Sequence, residues 1–302
     1  MRKVVNDLKL LLGEENVRED FNIKNYLSFK IDCKAKLLVE IYNKSQLIKI
    51  LDYLSLNKLK YVVIGGGSNI IFKKSALKGI VIHLNDGYSK IYFKNGHFFL
   101  SAFCGCKIGS IIKKCKENGF SCLEWAVGIP ASIGGAVIMN MGAFENCVAD
   151  KVESVTYYEN GKVFKIKNNA KNLFSYRNSV FKTKKCVIIG VTVKLARRAK
   201  DMLQADILQY LKKKSAMQPL NFASCGSVFK NGDNYFSAKL IQDCGLKGST
   251  IGGAQVSIKH SNFIINYNGD ATFSDVIKLI DYVKKQVYKK YKINLVEEVE
   301  IL

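Results

Sequence analysis

Several short stretches of the chain combine residue types that could bind an anion. The first is Gly65–Asn69 (GGGSN), which directly follows a short apolar segment that predicts a β-strand. Glycine permits positive φ angles and close approach of a ligand, and free N–H groups at a strand end suit a phosphate or pyrophosphate. A tight β-turn without a ligand explains the same residues. The loop lacks the GxGxxG pattern and a following helix, which disfavours a Rossmann dinucleotide site.

Two further glycine-rich stretches permit the same chemistry. Residues 128–136 (GIPASIGGA) hold one of the two prolines and predict a turn that leads into a helix, where a phosphate or a flat ring could contact the backbone. Close packing of two helices is the alternative. Gly252-Gly253, with Lys259-His260 shortly after, also suits a phosphate, and the alternative is a plain turn with a solvated Lys-His pair.

Three polar residues could take part in a reaction. Arg177 is one of only five arginines, and a planar guanidinium binds a carboxylate through two hydrogen bonds as Lys cannot. Ser227 follows a glycine, but no His lies near it in sequence, so a proton relay or a ligand contact is favoured over a nucleophile. Glu298 lies in the last predicted strand. A surface arginine, a turn serine and a solvated strand face are the respective alternatives.

The composition indicates a globular protein of about two domains. The 302 residues are 48% hydrophobic and 24% charged, which excludes disordered, collagen-like and coiled-coil chains. The net charge of +22 calls for an anionic partner, either a nucleic acid or a phosphorylated small molecule. Proteins that read bases favour Arg, whereas this chain is rich in Lys, so the charge reflects composition. We expect small-molecule partners and no nucleic acid.

The cysteines and the apolar segments indicate a cytoplasmic protein without a membrane span. The nine cysteines form no CxxC pair, and Cys104 and Cys106 have no partner pair at zinc spacing, so we expect reduced thiols and no metal. Charged residues among the first 17 exclude the core of a signal peptide. Residues 125–144 carry no charge over a spanning length, but their glycines and proline indicate turns.

Hydrophobic periodicity and capping residues predict an α+β fold. Strands are predicted over 37–42, 61–64, 80–84, 90–93, 98–103, 152–158, 162–166, 186–195, 262–267 and 295–302, and helices over 45–56, 107–118, 201–214, 237–244 and 273–291. A mostly basic stretch, Arg197–Lys200, marks the predicted domain boundary.

Taken together and in order, these motifs resemble those of the UDP-N-acetylenolpyruvoylglucosamine reductases, flavoenzymes of peptidoglycan precursor synthesis. The matching segments are VIGGGSNII (63–71), GIPASIGGAVIMNMGAF (128–144), SYRNS (175–179), CGSVFKN (225–231), GLKGSTIGGAQVSIKHSNFIIN (245–266) and LVEEVEIL (295–302). The resemblance covers most of the chain from about Tyr26 onwards and points to the shorter form of the family.

The resemblance implies the domains and the cofactor. An FAD-binding region of the vanillyl-alcohol-oxidase (PCMH) type, built of two α+β lobes, would occupy residues 1–200. A smaller α+β substrate domain would occupy residues 201–302, with its last strand returning to the FAD region. FAD would be the cofactor and NADPH a co-substrate. The implied FAD-binding residues are Gly65, Gly66, Gly67, Ser68, Asn69, Gly128, Ile129, Pro130, Ser132, Ile133, Gly134 and Gly135.

The resemblance also implies the reaction and its residues. NADPH reduces FAD, which then gives hydride to the enolpyruvyl double bond of a UDP-sugar. Arg177 would stabilise the enolate that forms at the adjacent carboxylate, Glu298 would orient and polarise the substrate, and Ser227 would donate the proton. The implied substrate-binding residues are Tyr176, Lys230, Asn231, Gln255, Lys259 and His260. We expect a monomer.

The chain departs from the family pattern at several positions. The usual residues are replaced by Met217, Ser249-Thr250, Asp32-Cys33, Glu145 and Glu297. The first two replacements affect residues expected to bind the diphosphates of the substrate or NADPH. Cys225 lies two residues from Ser227, so we expect thiol reagents to inhibit. A flavin oxidase with another substrate and a basic nucleic-acid-binding module are the alternatives to the reductase.

Overall fold

The computed structural model describes residues 2–73, 75–169 and 172–302. Eight α-helices lie in these residues: α1 (Arg2–Leu12), α2 (Lys44–Leu56), α3 (Ile108–Glu117), α4 (Ile133–Ile138), α5 (Val180–Thr183), α6 (Lys200–Met217), α7 (Ser237–Asp243) and α8 (Phe273–Tyr291). The same residues form twenty strands: β1 (Val17–Asn22), β2 (Lys34–Ile41), β3 (Tyr61–Ile64), β4 (Ile70–Ile71), β5 (Ala76–Leu84), β6 (Ser89–Lys94), β7 (His97–Phe103), β8 (Phe120–Ser121), β9 (Gly142–Ala143), β10 (Asn146–Cys147), β11 (Val152–Glu159), β12 (Lys162–Lys167), β13 (Phe174–Ser175), β14 (Asn178–Ser179), β15 (Val187–Arg197), β16 (Ala223–Ser227), β17 (Thr250–Ile251), β18 (Ala254–Val256), β19 (Phe263–Asn266) and β20 (Glu300–Ile301).

The first of two compact units carries the largest sheet of the described residues. It comprises Met1–Phe21, Ala35–Gly66 and Lys78–Leu211. One sheet has the order β1-β2-β5-β3, and a larger antiparallel sheet has the order β12-β11-β15-β7-β6, with β8 paired to β15. One apolar core joins these sheets to α1, α2, α3 and α4.

Local signals in the sequence account for the ends of several elements in this unit. The side chain of Asn43 accepts a hydrogen bond from the Gln46 N–H and caps α2. Gly119, at φ +72°, follows the end of α3, and Asn160-Gly161, at φ +49° and +77°, form the two-residue turn between β11 and β12. The predicted helices and hairpin are confirmed here.

The second unit is a smaller α+β body. It comprises Asn22–Lys34, Gly67–Leu77 and Lys212–Leu302, with an antiparallel sheet in the order β16-β19-β18-β17 and a parallel pair β20-β4. Helix α8 begins with reciprocal hydrogen bonds between Thr272 and Asp275, as its predicted capping residues require. Its buried face packs into a separate apolar core with α7 and the sheet.

The division of the chain differs from the predicted boundary near residue 200. It falls inside α6, and residues 22–34 and 67–77, predicted in the N-terminal region, group with the second unit. The Asn266 side chain donates to the Phe29 carbonyl (3.1 Å), and the Glu300 N–H donates to the Asn69 carbonyl (2.9 Å). Such pairings between residues more than 200 positions apart leave no local signal. The predicted last strand is shortened to β20, which pairs with β4.

The uncharged stretch 125–144 is divided among short elements. It includes the end of a 3₁₀ turn (Glu124–Ala126), helix α4 and strand β9. No helix in the described ranges is long and apolar enough to cross a membrane. Helix α1 and strand β1 were not predicted, although Val5, Leu8 and Leu12 give α1 a buried face at helical spacing.

Candidate active site

In the first unit, the end of β3 lies directly against the loop that precedes α4. A Cβ atom on Gly65 would overlap the Ser132 hydroxyl, and one on Gly66 would overlap the Pro130 carbonyl. Any side chain at either glycine would push the two loops apart. The two glycine-rich motifs of this unit therefore form one structural feature, although they lie more than 60 residues apart in sequence.

The 128–135 loop is fixed by backbone hydrogen bonds to the residues around the start of α3. The N–H groups of Ile133 and Gly134 donate to the Cys106 and Cys104 carbonyls, both at 2.8 Å. The Ser132 hydroxyl accepts from the Gly135 N–H (3.3 Å) and caps α4. The predicted turn leading into a helix is confirmed. Gly134 packs closely on Cys104, which follows β7, so the close contact is not between two helices.

Two features of this region fit a bound cofactor. Among the described residues, the backbone N–H groups of Gly65 and Gly66 donate to no protein acceptor, and both glycines are half-buried. Such donors suit the oxygens of a pyrophosphate. The Trp125 indole Nε1 is buried and has no hydrogen-bond partner in the described part of the chain, so an acceptor atom of a ligand would satisfy it. Trp125, the only tryptophan of the chain, lies in no motif that marked it as a candidate site residue.

Arg177 lies at the tip of the hairpin formed by β13 and β14. Ser175 pairs with Asn178, so Tyr176 and Arg177 form the turn, and Arg177 has a positive φ of +51°. This conformation is uncommon for a residue with a side chain. The Arg177 Nη2 donates to the Gly142 carbonyl (2.8 Å), and the guanidinium lies 5.2 Å from the centre of the Tyr176 ring. The side chain thus has a defined direction.

The Arg177 hairpin is held against α4 by buried side chains. The Asn140 amide donates to the Ser175 carbonyl (2.9 Å), and its oxygen accepts from the Ala149 N–H (3.1 Å). The Ser179 hydroxyl donates to the Ile138 carbonyl (2.8 Å). The structure therefore places Arg177 on the same small framework as the 128–135 loop.

In the second unit, the backbone brings Ser227 and Glu298 into neighbouring segments. The pairing of β16 with β19 shifts register between Ser224 and Ser227, where Gly226 has φ +75°. Such an irregularity changes the direction of the following side chains. Beyond Ser227, the Glu298 N–H donates to the Val228 carbonyl (2.7 Å). Ser227 thus precedes the residue that pairs with Glu298.

Asn69 and Gly67 have structural partners within the second unit. The Asn69 amide donates to the Glu298 carbonyl (3.0 Å), so the side chain predicted to contact FAD fixes the backbone at Glu298. Gly67 has φ +59°, and its carbonyl accepts from the Ser28 N–H (3.0 Å). A Cβ on Gly67 would overlap the Tyr26 carbonyl, so only glycine fits there.

Side-chain hydrogen bonds hold three of the residues predicted to bind substrate, namely Asn231, Gln255 and Lys259. The Asn231 oxygen accepts from the Ser237 N–H (3.0 Å), and the Gln255 amide donates to the Thr250 hydroxyl (3.0 Å). Thr250 stands at one of the positions that depart from the family. The Lys259 ammonium donates to the Ser215 carbonyl (2.5 Å). Tyr176 is 54% exposed.

His260 supplies less positive charge than the sequence suggests. Burial, and secondarily the charge of Lys247, lowers the pKa of His260 below its usual value. Its Nδ1 accepts from the Asn262 N–H (3.3 Å), so the other ring nitrogen carries the proton of the neutral form. Near neutral pH, His260 can donate a hydrogen bond, and the positive charge among the residues predicted to bind substrate comes from Lys230 and Lys259.

Cys225 and Glu297 both have partners within the second unit. Cys225 is 5% exposed, its thiol donates to the Ile70 carbonyl (3.6 Å), and burial raises its pKa to about 12. Burial and the raised pKa argue against the expected reaction of Cys225 with thiol reagents, because the thiolate is the reactive form. Glu297 forms an ion pair with Lys284 of α8 (2.7 Å). This pair ties the final segment to α8.

Comparison with known proteins identifies relatives over the whole chain. Residues 218–302 match the model of the UDP-N-acetylenolpyruvoylglucosamine reductase C-terminal domain, and residues 35–167 match that of an FAD-binding domain. A UDP-N-acetylenolpyruvoylglucosamine reductase from Clostridium novyi is 33% identical over 98% of this chain and 95% of its own length. The corresponding protein of Listeria monocytogenes is 35% identical over 99% of both chains.

Solved structures agree with these matches. The Thermus caldophilus UDP-N-acetylenolpyruvylglucosamine reductase (MurB) aligns with a TM-score of 0.77 at 27% identity, over 94% of this chain and 99% of its own. Phl p 4, a glucose dehydrogenase, aligns with a TM-score of 0.51 at 11% identity over 76% of this chain and 53% of its own, which supports a shared fold alone. The flavin-oxidase alternative is not supported, because the reductase match includes the C-terminal domain.

Proposed function

The chain belongs to the UDP-N-acetylenolpyruvoylglucosamine reductase family, and we propose on this basis that Arg177, Ser227 and Glu298 are its catalytic residues. The protein is an FAD-containing oxidoreductase that uses NADPH to reduce the enolpyruvyl group of UDP-N-acetylglucosamine enolpyruvate, giving UDP-N-acetylmuramate for peptidoglycan synthesis. The observation that best supports the residue assignment is the backbone pairing that places Ser227 and Glu298 in adjacent segments.

FAD, when bound, would supply the hydride chemistry between NADPH and the enolpyruvyl double bond. The Gly65-Gly66 backbone and the 128–135 loop are the proposed FAD contacts in the first unit, because the glycine N–H donors suit the pyrophosphate. Gly67 and Ser68 continue the same loop in sequence.

The protein side chains control charge and protons on the substrate. Hydride addition to the double bond places negative charge on the neighbouring carboxylate as an enolate. Arg177 stabilises that charge, and its bond to the Gly142 carbonyl directs the guanidinium before substrate binds. Ser227 gives its hydroxyl proton to the enolate carbon, and Glu298 orients and polarises this end of the substrate. The sugar nucleotide is held by the predicted residues Tyr176, Lys230, Asn231, Gln255, Lys259 and His260.

The experiment for this assignment compares Arg177→Lys with the wild type in rapid-mixing absorbance measurements. Lys keeps the charge but loses the planar pair of donors. We expect near-normal reduction of the flavin by NADPH and slower reoxidation by the enolpyruvyl substrate. Equal reoxidation rates would remove Arg177 from the catalytic set. NADPH oxidation that does not depend on the UDP-sugar would contradict the assigned substrate.

The protein works as a cytoplasmic monomer without nucleic-acid partners in this proposal. The family's substrates are soluble nucleotide derivatives, and the nine thiols form no disulfide among the described residues. Light scattering on the purified protein should give a mass near that of one chain. A stable dimer would contradict the monomer.

A further inference from the structure

Asn262 lies beside the point where the chain that follows β16 leaves its pairing with β19 and pairs with the C-terminal residues. Up to Ser227 the strand pairs with β19, in the register Ser227 to Phe263. Beyond Ser227, residues 228–230 pair with the final segment, residues 295–302. The Glu298 N–H donates to the Val228 carbonyl (2.7 Å), and the Lys230 N–H donates to the Val296 carbonyl (2.9 Å). Phe229 lies between these two bonded residues. Because the hydrogen bonds of a strand alternate between its two edges, the N–H and C=O groups of Phe229 face away from the final segment.

The Asn262 side chain takes the place of a neighbouring strand at Phe229. Its oxygen accepts from the Phe229 N–H (2.9 Å), and its amide nitrogen donates to the Phe229 carbonyl (2.8 Å). Its own carbonyl accepts from the Val228 N–H (2.8 Å). Asn262 is 4% exposed, so these bonds are shielded from water. Three bonds thus fix the two residues that follow Ser227.

The same residue also fixes His260. The Asn262 N–H donates to the His260 Nδ1 (3.3 Å), and the His260 ring packs edge-on against Phe263 at 4.7 Å between ring centres. Asn262 therefore bonds the two residues that follow Ser227, the proposed proton donor, and also His260, a proposed substrate-binding residue. Asn262 itself has neither of these roles.

We propose that Asn262 is a positioning residue that holds the Ser227–Lys230 segment in the geometry needed for proton delivery to the substrate. The inference rests on the proposed role of Ser227. A serine donor acts over hydrogen-bond distance, so a displacement of about 1 Å at the backbone can cost about 100-fold in rate. Hydride transfer from NADPH requires no proton from Ser227, so that step does not depend on Asn262.

The test compares Asn262→Asp with Asn266→Asp. Asn266 is a matched control: it lies four residues on, is 3% exposed, and uses both ends of its amide, but its partners are Phe29, Lys30 and Ala271. In Asn262→Asp the bond to the Phe229 carbonyl is lost. We expect the limiting rate of reoxidation by the enolpyruvyl substrate to fall about 10- to 100-fold, with a normal limiting rate of reduction by NADPH. Asn266→Asp should lower thermal stability without changing the ratio of the two rates.

Two further measurements separate positioning from general stability. Amide hydrogen exchange at Phe229 should accelerate in Asn262→Asp and not in Asn266→Asp. In a Ser227→Ala background, Asn262→Asp should slow reoxidation little further, because the group that it positions is gone. Asn262→Ser, which buries no charge, is the second variant if Asn262→Asp does not fold.

Several outcomes would overturn the inference. These are an unchanged ratio of the two rates, equal slowing by the Asn266 variant, or an additive effect with Ser227→Ala. Failure of both Asn262 variants to fold would also overturn it, since the residue would then serve the whole unit. If Ser227→Ala itself left reoxidation intact, the proposed function of Ser227 would fail instead, which distinguishes the two claims.

Discussion

At the scale of single residues, the turn between β9 and β10 carries backbone strain close to the Arg177 hairpin. Phe144 and Glu145 have φ values of +52° and +64°. Two successive positive φ angles define a turn in which Gly and Asn are favoured. The preceding strand supplies Gly142, whose carbonyl accepts from Arg177. Glu145, where the family often has glycine, therefore sits in a conformation that disfavours a side chain.

Glu145→Gly should stabilise the protein. Removing the Cβ from a left-handed position regains about 1–2 kcal/mol, offset by roughly 0.5–1 kcal/mol of glycine entropy. We expect a net gain of about 0.5–1 kcal/mol, measured as a higher denaturation midpoint in urea. Glu145→Ala, which removes the charge but keeps the Cβ, is the control and should gain nothing. Equal gains in both variants would attribute the effect to charge.

The sequence could identify residue types but not their neighbours. The scarcity of arginine marked Arg177 as a candidate, and the preceding glycine marked Ser227. Each residue also fitted an ordinary structural role, a surface arginine or a turn serine, so the family motifs were needed to assign catalytic roles. Asn262 gave no signal, because its importance depends on Phe229, 33 residues earlier. The bond from the Asn69 amide to the Glu298 carbonyl, 229 residues away, was likewise not predictable from the sequence.

At the scale of elements, two capped helices have different neighbours. Ser132 caps α4, and its hydroxyl lies where any side chain on Gly65 would overlap it. Thr272 caps α8, which packs in the core of the second unit. Loss of a capping side chain costs about 1 kcal/mol at either helix. Only the first helix belongs to the proposed FAD-binding framework.

Ser132→Ala should weaken FAD binding more than Thr272→Ala does. Both variants lose a capping hydrogen bond, so both should lower the unfolding free energy by about 1 kcal/mol. The dissociation constant for FAD, measured by flavin fluorescence during titration of the apoprotein, should rise for Ser132→Ala alone. Equal affinities in the two variants would show that the Ser132 hydroxyl does not support cofactor binding.

Elements with local signals were predicted well, and those that depend on distant pairing were not. Helices α2, α3 and α8 follow from capping residues and periodicity within their own segments. The final strand was predicted over eight residues but is limited to β20, which pairs with the two-residue β4. The assignment of residues 22–34 and 67–77 to the second unit likewise depends on contacts with its C-terminal part.

At the scale of the whole molecule, the charge of +22 is spread over a Lys-rich chain. Ion pairs such as Lys36 with Asp20 and Lys184 with Glu159 neutralise part of it at the surface. Dispersed lysines give weak, salt-sensitive attraction to any polyanion, whereas specific recognition of bases relies on Arg contacts. The charge is therefore expected to favour anionic nucleotide substrates without producing a nucleic-acid-binding protein.

Duplex DNA should not bind tightly at about 0.15 M salt. Fluorescence anisotropy of labelled DNA, titrated with the holoenzyme, should show weak binding that disappears as salt rises. The UDP-sugar substrate, tested by flavin absorbance under the same conditions, should still bind. Tight DNA binding at physiological salt with a steep salt dependence would contradict this interpretation of the charge.

The central claim, that Ser227 delivers the proton to the reduced substrate, is tested most directly by Ser227→Ala in the two separated half-reactions. The change removes one hydroxyl and little volume, so folding and FAD content should survive. Reduction of the flavin by NADPH should stay near the wild-type rate. Reoxidation by the enolpyruvyl substrate should fall about 10²–10⁴-fold, the usual contribution of a general acid. Normal reoxidation combined with slow reduction by NADPH would contradict the account and would place Ser227 in the nicotinamide site.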